Sequence, residues 1–279
     1  MSAPSTSVHA LFYANFGARA TDGAHLDWEL PTQPRPKTND LPKARHAPDS
    51  VATTFCPSRG LYSSGDPKVL AAQFRELRRA GVGVAVVPFP GRPGATRASY
   101  ERLDPEAQER PLEVALDAAF EAAAAAGVKI TFLIDNYRER HAQNVRADIS
   151  YILGKYGARE AFFRDATRGG RGWVYVHDAT RMSKVELGSI FTPAGRSSIR
   201  GTPSDVVVLA LVRNDADREH LLASGFDGIF THYAADGFTD AARTSAWPAL
   251  SAWAHSHGKT EHHLLPLVPR GNASPHRSW

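Results

Sequence analysis

The residues best suited to chemistry are those that close the chain's short apolar runs. Collected in order they are Tyr13 and Asn15, Phe89, Asp135 and Tyr137, His177 and Asp178, Arg213 and Asp215, and His232 and Tyr233. The set mixes aromatic faces with carboxylates, an amide, imidazoles and a guanidinium. Sugar sites are built this way, because an aromatic face covers the apolar side of a pyranose while Asp, Asn, Arg and His hold its hydroxyls. Glycoside hydrolysis further requires two carboxyl groups about 5 to 10 Å apart across the scissile bond, and Asp135 and Asp178 are the available pair. Each candidate also has a plainer use. Asp135 can open a turn with Asn136, Asp178 in "HDATRMSK" can cap the helix that follows, and His232 and Tyr233 can be ordinary hydrogen-bonded or core groups.

The elements that must position these residues alternate along the chain. Seven β-branched or aromatic runs read as strands: "HALFYANF", "GVGVAVVPF", "VKITFLID", "GWVYVHD", "DVVVLALV", "DGIFTHY" and "HHLLPLV". Most are continuously apolar, the pattern of strands buried on both faces. Helical patterns lie between them at Asp66 to Ala80, Pro111 to Ala126, Ala142 to Tyr156, Asp215 to Ser224 and Asp240 to His257. Gly81, Gly127 and Gly225 each stand where a helix must end in a left-handed residue before the next strand. Strand then helix, repeated, predicts parallel β/α units. Long segments from Gly17 to Ser64 and from "PFPGRPGATRASYERLDPEAQ" follow the first two strands, at the end where such folds carry their sites. The expected fold is a (β/α)8 TIM-type barrel, apparently incomplete, with about seven parallel strands. Seven strands would leave the first and last as edges, so the reading is of one barrel domain over residues 1–279 that lacks its last β/α unit.

Composition narrows the class. The 279 residues carry 42% hydrophobic and 22% charged residues, as ordinary globular chains do. The net charge of +4 comes from 33 Lys and Arg against 29 Asp and Glu, with no basic run or helix face, so no nucleic-acid partner is expected. Cys56 is the single cysteine, which excludes an intrachain disulfide and reads as a small buried residue. "HSH" at His255 to His257 and "EHH" at Glu261 to His263 lack the helical spacing of a zinc protease, and no phosphate loop or nucleophile elbow is present. No metal and no cofactor are expected. No run approaches the roughly 18 apolar residues of a membrane segment, and no export signal is visible.

Four blocks carry a resemblance: "LYSSGDP" at Leu61 to Pro67, "YILGKYG" at Tyr151 to Gly157, "SSIRGTPSD" at Ser197 to Asp205 and "SGFDGIFTHYAADGF" at Ser224 to Phe238. With them the chain, from about His9 to about Pro269, resembles the endo-α-1,2-mannosidase family, glycoside hydrolase family 99. The resemblance implies a (β/α)8 barrel, a mannose-containing glycan as partner, hydrolysis of α-mannosidic linkages in glucosylated N-glycans or mannan, and a Golgi or secretory location. It also exposes departures. "YANFG" keeps Tyr13 and Gly17 of the family's Tyr-x-Trp-Tyr-Gly but has Asn15 at the Trp; Phe89 replaces a Trp; "FLIDNY" puts Leu133 at a His and Asp135 at a Glu; Thr180 and His232 each replace a Tyr. With Trp28 and Tyr233 added, the candidate substrate-binding set is Tyr13, Trp28, Phe89, Asp135, Tyr137, Asp178, His232 and Tyr233. The family's two catalytic glutamates lie in an Asn-Glu-Trp-His-Glu-Gly motif that has no counterpart here, and no Asp or Glu follows Glu261. No catalytic residue is therefore assigned, and the alternatives are a non-catalytic carbohydrate-binding relative or a polysaccharide-biosynthesis protein of similar fold.

Overall fold

The computed structural model describes residues 4–28, 47, 48, 51, 57–93, 112–137, 140–232 and 236–266. All seven expected strands form: β1 (Ser5–Leu11), β2 (Val82–Phe89), β3 (Lys129–Ile134), β5 (Arg171–Val176), β6 (Val206–Leu211), β7 (Gly228–His232) and β8 (Thr260–Pro266), with β4 (Arg164–Asp165) a short addition. Parallel pairing runs β1–β2–β3–β5–β6–β7–β8. The first and last strands are not left as edges. They pair with one another at Ala10 with Leu265 and Leu11 with Pro266, closing the ring. The seam is thin, since Ser5 to Val8 of β1 are exposed below those two pairs. Pairing at the seam removes free backbone groups that an open edge would expose.

Two apolar layers follow from the strands' two faces. Leu11, Val84, Val86, Tyr175, Leu209, Phe230 and Leu264 fill the barrel interior. Alternate residues such as Ala85, Val87, Phe132, Val208 and Ile229 pack outward against the helices. These are α1 (Arg19–Asp22), α2 (Pro67–Arg79), α3 (Leu112–Ala126), α4 (Ala142–Tyr156), α5 (Lys184–Phe191), α6 (Asp217–Ala223) and α7 (Trp247–Ser256). The helix after "HDATRMSK" is α5, capped not by Asp178 but by Ser183, whose side chain accepts from the Val185 N–H; Ser183 and Glu186 stand at the spacing of a capping box. The helix expected from Asp240 to His257 is broken into two 3-10 turns before α7. Pro248 enforces this, because proline is accepted only in a helix's first turn.

The amino end of the barrel is covered. β4 folds back antiparallel on β5, Phe163 inserts into the interior, and Arg168 donates to Thr260 Oγ1 at the start of β8, three strands away in the ring. Among the described residues, the carboxyl end of the barrel carries no such cover from β4.

The three helix-ending glycines do adopt positive φ, of 80° at Gly81, 68° at Gly127 and 81° at Gly225. They differ in surroundings. A Cβ on Gly81 meets nothing within 4 Å, whereas one on Gly225 falls 2.8 Å from Thr192 Cγ2 and 3.0 Å from the Phe191 backbone. Gly81→Ala is expected to cost about 1–2 kcal/mol, the left-handed penalty alone, and Gly225→Ala at least twice that. Urea unfolding of the two variants side by side checks the difference; equal losses would remove the packing part of the argument.

Candidate functional site at the carboxyl end of the barrel

The inward rows of side chains do not stop where the strands stop. Beyond Leu11, Leu133, Tyr175, Leu211 and Phe230 the next inward positions are Tyr13, Asp135, His177, Arg213 and His232. An apolar barrel interior therefore ends in a polar rim, because the two-residue period of each strand carries through its last residue.

The rim is built around His177 and Asp178. Asn136 places its Nδ2 3.0 Å from His177 Nδ1 and 3.0 Å from Asp178 Oδ2. Since an amide nitrogen only donates, Nδ1 accepts and the imidazole proton sits on Nε2. Asp135 Oδ1 and Asp178 Oδ2 lie 3.8 and 4.0 Å from the same Nδ1. Burial nonetheless pushes the His177 pKa down, against the upward pull of the two carboxylates, so the ring is neutral near pH 7 and these are not ion pairs. His232 stands edge-on to it, ring centres 6.3 Å apart.

Asp178 is 0% exposed and adopts φ 43°. Its carboxylate does not cap the 3-10 turn Ala179–Arg181; it faces Arg181 Nε at 3.2 Å and Arg213 Nη1 at 3.4 Å. A non-glycine residue in the left-handed region persists only where its surroundings hold it, and Arg140 supplies that hold. Arg140 donates from Nη2 to the Asp178 carbonyl at 3.0 Å, and from Nη1 to the carbonyls of His177 at 2.6 Å and Asp135 at 3.2 Å. One guanidinium thus braces the end of β3 to the end of β5. Arg213 is fixed in turn by Thr180 Oγ1 at 2.7 Å and Asp217 Oδ2 at 3.4 Å. Asp135, by contrast, accepts from the Asn136 N–H at 2.7 Å, a bond to the adjacent backbone, and its side chain keeps partial exposure.

The other candidates separate. Tyr13 packs half-buried on the barrel interior at the rim. Phe89 closes β2 but is 2% exposed and points outward into the helix layer, against Phe132 and Tyr151. Trp28 is 1% exposed, donates Nε1–H to the Tyr62 carbonyl and packs on Phe16 and Tyr62. Tyr137 is buried, its hydroxyl donated to Asp148 Oδ2. Tyr233 lies outside the described residues, as do Cys56 and most of the two long segments. Asn136, Arg140 and Arg181 were not singled out from the sequence as rim groups, and a polar residue just past a buried strand was the available signal.

A polar rim on a parallel barrel admits many chemistries, and comparison with known proteins narrows them. Residues 4–274 match the model of Glycosyl hydrolase family 99. The chain belongs to this family. Among the relatives, rat "Glycoprotein endo-alpha-1,2-mannosidase" is 33% identical over 254 residues, covering 88% of this chain and 52% of its own length. Human "Glycoprotein endo-alpha-1,2-mannosidase-like protein" is 31% identical over 252 residues, covering 88% and 53%. The chain spans about half the length of the curated relatives it matches. The solved family 99 endo-alpha-mannosidase from Bacteroides thetaiotaomicron superposes with a TM-score of 0.80 at 26% identity, over 93% of this chain and 71% of that one. The barrel read from the strand and helix alternation is the family 99 barrel. Among the described residues no helix is long and apolar enough to cross a membrane.

Proposed function

We propose that the rim around Asp135, His177, Arg213 and His232 binds a mannose-containing glycan, and that this rim supplies recognition rather than turnover. The observation that carries this reading is the polar continuation of the inward rows in a chain of family 99. Its rigidly held donors and one partly exposed carboxylate are the groups a pyranose's hydroxyls require. The relatives' names, endo-alpha-1,2-mannosidase and endo-alpha-mannosidase, point to an α-mannoside as the ligand class.

Hydrolysis makes a heavier demand. Asp178 is fully buried and engaged by Arg181 and Arg213, which closes it to a glycosidic oxygen and leaves Asp135 as the member of the pair within reach of a ligand. One carboxyl group cannot both protonate a leaving oxygen and assist attack at the anomeric carbon. Turnover of an α-1,2-mannosidic linkage by a protein containing this barrel would take a second carboxyl group across the scissile bond from Asp135.

Asp135→Asn is expected to weaken mannoside binding by about 1–3 kcal/mol, the loss of a charged hydrogen bond to a hydroxyl, with the urea midpoint nearly unchanged. An affinity equal to that of the unsubstituted chain would leave Asp135 with only its bond to the Asn136 backbone.

A further inference from the structure

Helix α4 buries Ala142, Val145, Asp148, Ile149, Ile152 and Tyr156, so one carboxylate sits in an otherwise apolar stripe. A buried carboxylate is retained only with partners. Those of Asp148 come from two different rim loops. From the loop after β2, Arg92 donates its backbone N–H at 3.2 Å and its Nη1 at 3.1 Å to Oδ1. From the loop after β3, the Tyr137 hydroxyl donates to Oδ2 at 2.5 Å. Gly91, at φ 96°, makes the turn that brings Arg92 down to the helix, and Tyr137 is two residues from Asp135.

We propose that Asp148 is a positioning residue for the rim: from inside α4 it bolts the loops after β2 and β3 together and so sets the geometry in which Asp135 meets a ligand. Asp148 is 0% exposed and Tyr137 is buried, so both act through the loops rather than by touching sugar. Burial raises the Asp148 pKa, and the Tyr137 and Arg92 donors offset this only in part. The consequence for binding rests on the mannoside reading above; the mechanical role does not.

The test uses the full chain with Asp148→Asn, Asp148→Ala and Tyr137→Phe, followed by NMR amide exchange and by calorimetric titration with an α-1,2-linked mannan oligosaccharide. Asparagine keeps the shape but loses the charge that Arg92 faces. The expected result for Asp148→Asn is exchange at the Arg92 and Asn136 amides faster by about tenfold, mannoside affinity lower by about tenfold, and β6 and β7 amides unchanged. Alanine should exceed asparagine on both readouts, and adding Tyr137→Phe to Asp148→Asn should change affinity little, because the two share one bond. If the alanine variant does not fold, the asparagine variant decides. Unchanged exchange in both loops of Asp148→Asn overturns the proposal, as does full affinity in that variant. Should the unsubstituted chain bind no mannoside, the functional reading fails, and the exchange data alone still judge the bolt.

Discussion

Replacing Arg200 with alanine is expected to destabilise the barrel by about 2–4 kcal/mol, somewhat less than the cost of removing one partner from a fully buried charge pair, because its hydrogen-bonded network is partly buried. Arg200 lies in the "SSIRGTPSD" block and has a side-chain exposure of 13%. Its guanidinium donates to the Phe191 carbonyl at 2.8 Å, the Val206 carbonyl at 2.8 Å and the Gly225 carbonyl at 3.1 Å. It also meets Asp205 Oδ1 at 3.2 Å and Asp227 Oδ2 at 2.8 Å. One side chain therefore joins the end of α5, the start of β6 and the approach to β7. Alanine would strand three carbonyls and leave Asp205 and Asp227 with Arg171 at 3.4 and 4.0 Å and with the Gly201 and Val208 N–H groups at 3.0 and 2.8 Å. Lysine cannot reproduce the planar fork and is expected to recover less than half of the loss. All of this is at the amino end of the strands, where barrels keep stability rather than function. Urea unfolding is the measure, and a loss below about 1 kcal/mol would show that water satisfies these groups as well as Arg200 does.

The second large effect is acid sensitivity. Inside the barrel, His9 and His262 stand with ring centres 4.7 Å apart, enclosed by Phe163, Trp173 and Tyr175. His9 Nε2–H donates to the Thr6 carbonyl at 2.9 Å, so its Nδ1 accepts from the Tyr175 hydroxyl at 2.7 Å. Burial, reinforced by His262, pushes the His9 pKa down to about 3, and burial, reinforced by His263, pushes His262 down to about 4. Both folded values lie below the unfolded value of about 6.5. Below pH 6.5 the unfolded chain therefore binds protons that the folded chain refuses, and stability falls as pH falls. Each histidine contributes a slope approaching about 1.4 kcal/mol per pH unit across that window, so the loss between pH 6.5 and 4.5 is on the order of 3–5 kcal/mol. His262→Phe, which keeps an aromatic ring in the cluster, is expected to flatten the profile by about half. A urea midpoint constant from pH 7 to 4.5 would contradict this account of the barrel's interior.

The sequence made the order of elements legible because buried parallel strands are apolar throughout and glycines mark the helix ends at Gly81, Gly127 and Gly225. That same uniform apolarity hid which face each residue takes. Phe89 and Asp135 both end strands, yet Phe89 belongs to the helix layer and Asp135 to the rim. Ring closure was illegible too, since pairing between β1 and β8 depends on twist and tilt that no run of residues encodes locally. Asp178 and Arg213 were visible as candidates, but Arg140 and Arg181, which also hold Asp178, sit in polar stretches that any loop could have. Asp148 was readable in principle, as a lone carboxylate in an apolar helical stripe.

The central claim is that the rim recognises a mannoside without turning it over, and calorimetric titration of the 279-residue chain with an α-1,2-linked mannan oligosaccharide tests both halves at once. The expected trace saturates at one site, each injection's heat returns to baseline, and Asp135→Asn shifts the curve to weaker binding. Sustained heat flow after each injection, abolished by Asp135→Asn, would mean that the rim carries out hydrolysis, and the absence of any saturable heat would mean that it does not recognise mannosides.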